Sequence, residues 1–280
     1  MRGMVVIFVL AVLTVTALAE DRARYPWPEA EQGLPLSGRI APPSGYERQP
    51  ASPGSFAEWL RGLPVRDGRP DVLLFDGRKK ANQQAQWAVL AIDIGAKDLQ
   101  QCADAVMRLR AEYLYSQGRD DQIAFRFTNG DLVPWSRWRD GERVKVQGNR
   151  VTWTRSAVPD PSYESFRRWL DLVFTYAGTA SLERELTPVT EPALAEAGDV
   201  FIQGGFPGHA VLVADVTVNV TGQRALLLLQ SYMPAQDIHI LRNPGDPDSP
   251  WYPARSDGAL ETPEWKFNYK DLRRFASVRP

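Results

Sequence analysis

The chain has 280 residues, of which 44% are hydrophobic, and its formal net charge is -1. This composition is that of a globular protein long enough to bury a substantial core, in one domain or one domain with elaborations. A charge so close to zero excludes the strong electrostatic attraction of basic proteins for nucleic acids. We therefore expect no nucleic-acid partner.

The N-terminal residues have the pattern of a secretory signal peptide. Arg2 provides a minimal positive region, residues 5–15 form an apolar run too short to span a bilayer, and Ala17-Leu18-Ala19 is a small-x-small cleavage site. We predict a signal peptide over residues 1–19 and an exported protein, periplasmic or extracellular, that begins near Glu20. No later stretch is long and apolar enough to predict a transmembrane segment in the mature chain.

Proline is frequent in the segment that follows. Residues 20–54 contain seven prolines, which favours an extended linker, or a strap that lies over the domain without a core of its own. Residues 55–280 are predicted to form a single α+β domain.

Most helical patterns come first along that domain, and a run of strand patterns follows. Helices are predicted at residues 55–63, 99–116, 161–177, 179–186 and 268–275. Strands are predicted at residues 71–75, 86–94, 123–127, 143–146, 151–154, 200–203, 209–217, 225–231 and 238–241, and residues 243–264 are mostly loop. The pair 143–146 and 151–154 forms a predicted β-hairpin insertion. Helices followed by a run of antiparallel strands predict an α+β fold.

Cys102 is the only cysteine of the chain. It cannot form an internal disulfide, so it is either an inert buried thiol or a protected nucleophile. Asp98-Leu99-Gln100-Gln101 has the pattern of a capping box and predicts the start of the helix at 99–116. With Asp98 as the cap, Cys102 is expected to be the fourth helical residue, on the apolar stripe, with its amide hydrogen bonded inside the helix.

Residues 198–216 predict a strand, a glycine-rich turn and a second strand, and His209 begins the second strand. Because their separation is even, Asp215 is expected on the same strand face as His209, three pairs away. Gln230 ends a run of four leucines, where a polar side chain needs a partner. Gln230 is therefore a candidate to orient the His209 ring, or else it satisfies a loop. His239 is interpreted as structural.

Cysteine hydrolases need a thiolate, a base within hydrogen-bond reach and a group that orients the base. Cys102 as nucleophile, His209 as base and Gln230 as orienting residue form the candidate catalytic set. Two histidines and one cysteine have no recognisable zinc-ligand spacing, and no phosphate-cradling loop is present. We therefore expect neither a metal nor another cofactor.

The order of helix-borne cysteine, strand-borne histidine and polar residue on the next strand resembles the NlpC-type cell-wall peptidases. Gly198-Asp199-Val200-Phe201 and the run from Gly208 to Val213 carry this resemblance. Those peptidases usually have an Asp-Cys-Ser-Gly type segment, where this chain has Gln100-Gln101-Cys102-Ala103-Asp104. The resemblance implies a papain-like core, in which the cysteine-bearing helix packs on an antiparallel sheet, and hydrolysis of amide bonds in peptidoglycan peptides.

Four motifs together resemble an uncharacterised exported bacterial family, domain of unknown function 4846. The motifs are the segments 98–104, 176–179, 207–210 and 230–236. They include Tyr232 and Gln236, which, with Asp199, are pocket candidates or parts of the turn architecture. This resemblance implies export and a shared fold, and it supplies no activity.

Two functions follow as alternatives. The first is an exported papain-like cysteine hydrolase that acts on an amide bond. The second is a non-catalytic cell-envelope binding module that keeps a hydrolase-like fold and uses Trp135, Trp138 and Trp251 to hold a glycan or a peptide.

Overall fold

The computed structural model of the protein describes residues 22–276. The predicted signal peptide, residues 1–19, lies outside the described residues. Within residues 22–276, no helix combines the length and the apolar character needed to cross a membrane.

The helices of the described part are α1 (Leu36–Arg39), α2 (Phe56–Arg61), α3 (Cys102–Ser116), α4 (Trp135–Arg139), α5 (Tyr163–Tyr176) and α6 (Thr179–Glu185). The strands of the same part are β1 (Leu34–Pro35), β2 (Tyr46–Arg48), β3 (Pro64–Val65), β4 (Gln86–Val89), β5 (Ala124–Arg126), β6 (Leu132–Pro134), β7 (Glu142–Gln147), β8 (Arg150–Arg155), β9 (Thr187–Pro188), β10 (Val200–Gln203), β11 (His209–Asn219), β12 (Arg224–Gln230), β13 (His239–Leu241), β14 (Trp251–Pro253), β15 (Ala259–Glu261), β16 (Lys266–Asn268) and β17 (Leu272–Arg274).

An antiparallel sheet, with nine strands in the described part, organises the domain. Its main path runs β4-β13-β12-β11-β10-β17-β9, while β14 pairs with β12 and β2 pairs with β11. The long central strands β11 and β12 are antiparallel neighbours in register from Leu212 opposite Leu229 to Val218 opposite Arg224. This mixture of helices and antiparallel sheet confirms the predicted α+β class.

Both faces of the central sheet are buried. Leu227 and Leu229 of β12 belong to a large core that also contains residues of α2, α3 and α5, whereas Leu226 and Leu228 belong to a second core on the opposite face. A strand buried on both faces carries a continuous apolar run instead of alternating apolar and polar residues. The four consecutive leucines before Gln230 are therefore a consequence of sheet position.

Helix α3 begins three residues later than the sequence pattern predicts. The Asp98 carboxylate accepts a hydrogen bond from the Ala235 amide at 2.6 Å and does not cap the helix. Gln101 is the N-cap instead, and its amide donates to Asp104 Oδ2 at 3.0 Å. The local pattern predicted Asp98 as the cap, but Asp98 instead accepts a hydrogen bond from a residue 137 positions away in the chain.

The predicted closing helix at residues 268–275 is wrong. The segment forms the end of β16, a 3₁₀ turn over Tyr269–Asp271 and strand β17. The Asn268 side chain accepts the Lys270 amide hydrogen at 2.9 Å, which supports the turn, and the fully buried Leu272 pairs with Phe201 of β10. Sheet pairing has overridden helix propensity here.

Other predicted elements differ in detail. The hairpin predicted at 143–146 and 151–154 is confirmed as β7 and β8, with Val146 opposite Val151. The strand predicted at 71–75 is reduced to isolated bridges, such as Leu74 to Gln236.

Residues 22–54 pack against the domain. The Trp27 and Leu36 side chains are buried in the large core, and Trp27 Nε1 donates to the Ala91 carbonyl at 2.7 Å. Strand β1 pairs with β3, and β2 extends the edge of β11. The buried side chains of this segment therefore share the core of the domain.

Candidate active site

Cys102 is the first residue of α3, because Gln101 is the cap. The prediction of a fourth helical position is therefore wrong, and the Cys102 amide hydrogen has no partner inside the helix. The thiol lies close enough to the amide hydrogens of Ala103, Ala210 and Cys102 itself for them to lower its pKa. Ala210 directly follows His209 in β11, so the fold brings the thiol to the start of the histidine-bearing strand.

The Cys102 thiol is neutral at pH 7. Burial raises its pKa to about 11, and the Asp104 carboxylate adds to the rise because a nearby negative charge disfavours the thiolate. The three amide hydrogens oppose this rise by favouring the thiolate. The side chain is 8% exposed, so the thiol is nearly enclosed.

His209 is 1% exposed and stands at the start of β11. Its ring packs against Tyr232, Trp265 and Phe267, at centroid distances of 4.8, 5.3 and 5.8 Å. Burial lowers the pKa of His209 to about 4; the hydrogen bond to Gln230 opposes this shift and the Lys80 charge adds to it. The imidazole is therefore neutral at pH 7, when it can act as a base.

Gln230 is fully buried and joins His209 to two further groups. Its Oε1 lies 2.8 Å from His209 Nε2, which matches the expected closeness of the two residues. Its Nε2 donates to Glu264 Oε2 at 2.8 Å and lies 3.4 Å from His239 Nε2. His239 Nδ1 lies 2.9 Å from the Asp237 carbonyl, which can only accept a hydrogen bond.

These contacts determine which ring nitrogen of His209 carries its proton. Because Gln230 donates through Nε2 to Glu264, its Oε1 is the atom that faces His209. An amide oxygen only accepts, so His209 carries its proton on Nε2. Nδ1 then keeps its lone pair, and it makes no hydrogen bond with any residue in the described range.

Sequence patterns did not single out Glu264 or Lys80, which form a buried ion pair beneath Gln230. Asn82 Nδ2 donates a hydrogen bond to the other carboxylate oxygen, Glu264 Oε1, at 3.2 Å. Glu264 lies at the end of the segment 243–264, which was predicted to be mostly loop, and Lys80 lies in an irregular segment 184 residues away. Neither position has a periodicity or spacing that could have marked it.

Asp215 lies on the opposite sheet face from His209, and the predicted shared face is wrong. A bulge between Val213 and Asp215 adds a residue to β11, so Asp215 pairs with Leu227 of the large core. A bulge of one residue reverses the alternation of side chains beyond it. Asp215 instead binds Arg48 and Arg61, at 2.7 and 2.6 Å.

The other pocket candidates have separate positions. Asp199 accepts two hydrogen bonds from Arg274, at 2.6 and 2.8 Å, and one from the Glu196 amide. Tyr232 packs on the His209 ring. Gln236 is fully buried, and its carbonyl accepts from Ser231 Oγ at 2.9 Å. Asp199 is therefore part of the turn architecture, and Tyr232 is the candidate that lies at the site.

The tryptophans proposed to hold a ligand are mostly enclosed. Trp135 is 0% exposed and Trp251 is 4% exposed, so neither ring face is open to a glycan. Trp138 is partly buried and donates to Ser165 Oγ at 3.2 Å. The expected use of Trp135 and Trp251 as surface binding platforms is therefore wrong for this conformation.

Three cavities in the described part of the chain lie away from the thiol. One of about 700 Å³ is lined by Asn243, Trp251, Tyr252, Arg255 and Tyr269, among others. Those of about 430 and 390 Å³ also lack Cys102, His209 and Gln230 in their walls. The candidate catalytic residues therefore line none of these three cavities.

Among residues 22–276, no group of three or more histidine, cysteine, aspartate and glutamate side chains is placed to hold a metal ion.

Two turns beside the site carry exposed apolar side chains. Phe206, three residues before His209, is 96% exposed, and Met233, three residues after Gln230, is 53% exposed.

Comparison with known proteins gives one match. A family model described as domain of unknown function (4846) matches residues 36–274, which confirms the resemblance indicated by the four sequence motifs. No curated protein and no solved structure matches the chain.

Proposed function

The chain belongs to the family of domain of unknown function 4846, and from its site geometry we propose that it is a cysteine hydrolase that cleaves an amide bond. Cys102 is the nucleophile, His209 the base and then the acid, and Gln230 the residue that orients His209. One observation carries the proposal. The thiol at the start of α3 lies close enough to the amide of Ala210, directly after His209, for that amide to lower the thiol pKa, and His209 Nε2 lies 2.8 Å from Gln230 Oε1.

The proposed reaction begins with attack of the Cys102 sulfur on the amide carbonyl carbon while His209 Nδ1 takes the thiol proton. The amide hydrogens at the start of α3 stabilise the oxyanion of the tetrahedral intermediate. Collapse of this intermediate breaks the carbon–nitrogen bond, and the leaving amine takes the proton from His209. His209 then deprotonates a water that attacks the thioester, which releases the acid and restores the thiol.

The pKa values require this proton transfer to accompany attack. With the thiol pKa raised to about 11 and the imidazole pKa lowered to about 4, a preformed thiolate–imidazolium pair is disfavoured. General base catalysis moves the proton only as the sulfur–carbon bond forms. Trp265 and Phe267 pack against the His209 ring and contribute to the burial that keeps the imidazole neutral.

The proposal includes export and a papain-like core. The signal-peptide pattern of residues 1–19 supports export. A helix that begins with the cysteine and packs on an antiparallel sheet with the histidine supports a papain-like arrangement. The resemblance to NlpC-type peptidases points to peptidoglycan peptides as the substrate class.

A specific observation favours a second candidate, a non-catalytic binding module of the cell envelope. The Cys102 thiol is only 8% exposed, and burial raises its pKa to about 11. Such a thiol serves as core packing without any chemistry. The two candidates differ in whether His209 assists the reactivity of Cys102.

Alkylation by iodoacetamide separates the two candidates, because Cys102 is the only thiol of the chain. For the hydrolase we expect alkylation of the buried thiol at pH 7 to depend on His209, which takes the thiol proton as the sulfur reacts. We also expect about a hundredfold slower alkylation in H209A, the size of a general-base contribution. An alkylation rate that is unchanged in H209A would contradict the hydrolase and favour the binding module.

Purified peptidoglycan sacculi test the substrate class. The wild-type protein is expected to release soluble peptides with new amine and carboxylate ends, measured by mass spectrometry, and C102A is expected to release none. C102S serves as the matched control, because it keeps the shape of the side chain. If alkylation depends on His209 but no peptides are released, the hydrolase acts on another amide.

A further inference from the structure

A charged pair is buried next to the candidate site, and the proposed reaction does not use it. The Lys80 and Glu264 side chains are 6% and 11% exposed, and they form an ion pair. Burying two charges costs free energy that their attraction only partly offsets, so a buried pair is weak evidence for a role in stability. Its position against Gln230 gives it a different role.

Two hydrogen-bond acceptors face the Nε2 side of the Gln230 amide. The Glu264 carboxylate accepts at 2.8 Å, and His239 Nε2 lies at 3.4 Å and holds a lone pair because Nδ1 donates to Asp237. If the amide were reversed, its oxygen would face both acceptors. The carboxylate therefore selects one orientation of the amide, with Oε1 toward His209.

We infer that Glu264 is a positioning residue that holds His209 in its Nε2–H tautomer through the Gln230 amide, with Lys80 as its counter-ion. The purpose of this arrangement rests on the proposed function, since the Nε2–H tautomer leaves Nδ1 as the base for the thiol. A reversed Gln230 would donate to His209 Nε2, and His209 would then carry its proton on Nδ1. That tautomer cannot accept the thiol proton.

Lys80 Nζ donates to Glu264 Oε2, the same oxygen that accepts from Gln230. Asn82 Nδ2 provides a further donor to the second carboxylate oxygen at 3.2 Å. The three donors Lys80, Asn82 and Gln230 thus leave Glu264 as an acceptor only.

The ¹⁵N chemical shifts of the two histidines in the wild-type protein test the inference directly. The chain has only His209 and His239, so spectra of H239Q assign both. We expect the proton of His209 on Nε2 at pH 7, and an unprotonated Nδ1. A dominant Nδ1–H tautomer of His209 would overturn the inference without any variant of Glu264.

The variant E264M/K80M removes both charges and keeps side chains of similar size. We expect a mixture of His209 tautomers and about tenfold slower Cys102 alkylation, because only a fraction of molecules then holds a competent base. E264Q is the matched control: its amide oxygen still accepts from Gln230, so the Nε2–H tautomer and most of the alkylation rate should return. If folded E264M/K80M keeps a single Nε2–H tautomer, the inference is wrong.

The inference and the proposed function fail in different ways. If the tautomer of His209 depends on Glu264 but the protein cleaves no amide, the inference holds and the hydrolase proposal fails. Amide cleavage by folded E264M/K80M at the wild-type rate and with an unchanged tautomer would do the opposite. If E264M/K80M does not fold, the wild-type tautomer measurement decides the inference.

Discussion

Strand β11 has a buried polar cluster near each end, and the two clusters lie on opposite faces of the sheet. His209 begins the strand and contacts Gln230 at 2.8 Å. Beyond the bulge, Asp215 binds Arg48 and Arg61, at 2.7 and 2.6 Å. Both central side chains are almost fully buried, with exposures of 1% and 0%.

The clusters differ in what they leave unpaired. Both oxygens of Asp215 are bound by arginines, and Oδ1 also accepts the Val216 amide at 2.9 Å. That cluster ties β2 and α2 to the sheet and leaves no group for chemistry. The His209 cluster ends at Nδ1 of the ring, which keeps its lone pair. The next residue of the strand, Ala210, lies close to the Cys102 thiol. The Asp215 cluster is therefore structural, because every oxygen of its carboxylate is bound, whereas the His209 cluster has a nitrogen left that can accept a proton.

The largest expected effect is on the stability provided by the Asp215 cluster. D215A leaves Arg48 and Arg61 partly buried without their carboxylate, and breaking a buried pair costs about 3–5 kcal/mol. Urea unfolding followed by tryptophan fluorescence measures the change. D171A is the control, because the Asp171–Lys97 pair is exposed and costs at most about 1 kcal/mol. Equal losses in the two variants would remove the structural role of Asp215.

The pH dependence of stability should reveal the neutral histidines. Burial lowers the pKa of His209 to about 4 and of His239 to about 3, so between these values and the ordinary 6.5 the unfolded chain binds more protons. Stability is then lost on acidification below pH 6.5. Burial raises the pKa of Asp104 from 3.8 to about 8, so the folded chain binds more protons across that range. Stability is then lost as the pH rises toward 8.

The joint contribution of these three groups to the unfolding free energy is largest near pH 6.5. Below it, two histidines outweigh one aspartate, and the loss is about 1.4 kcal/mol per pH unit for the one unbalanced proton. Urea unfolding at pH 5, 6.5 and 8 measures both limbs. D104N should flatten the limb between pH 6.5 and 8. A free energy that rises steadily through pH 8 would contradict the assignment of Asp104.

Asp104 should also affect the thiol. Its carboxylate raises the pKa of Cys102, and the asparagine of D104N can still accept the Gln101 amide hydrogen. We expect D104N to lower the thiol pKa by up to about one unit, equivalent to about 1.4 kcal/mol. The pH profile of the alkylation rate measures this shift, with D171N as the control. An unchanged profile would mean that the Asp104 charge does not act on the thiol.

The smallest expected effect on stability concerns the exposed turns beside the site. F206A and M233A should change the unfolding free energy by less than about 0.5 kcal/mol, because exposed side chains have few contacts to lose. Both should raise the KM for amide substrates if these turns contact the substrate. V220A is the matched control, since Val220 is 100% exposed beyond the opposite end of β11. The same KM in all three variants would exclude the turns from substrate binding.

Much of the site could be anticipated from local patterns. The apolar runs and the glycine-rich turn located the hairpin that brings His209 close to Gln230, and the capping pattern located α3 to within one turn. The first residue of α3 was missed because Asp98 binds the Ala235 amide. The face of Asp215 was missed because a bulge shifts its register. The pairing of Glu264 with Lys80 was missed because nothing near either residue indicates the other.

The sequence by itself determined the α+β class, the two central strands and the family, because periodicity, turn residues and motif order are written into short stretches of chain. The tertiary structure alone decided that Cys102 is the first helical residue, that Asp215 faces away from His209 and that Glu264 lies against Gln230. Each of these depends on a hydrogen bond or a register between residues far apart in the chain. Such a partner is selected only in the folded chain, where buried donors and acceptors lose their water and need a hydrogen-bond partner within the protein.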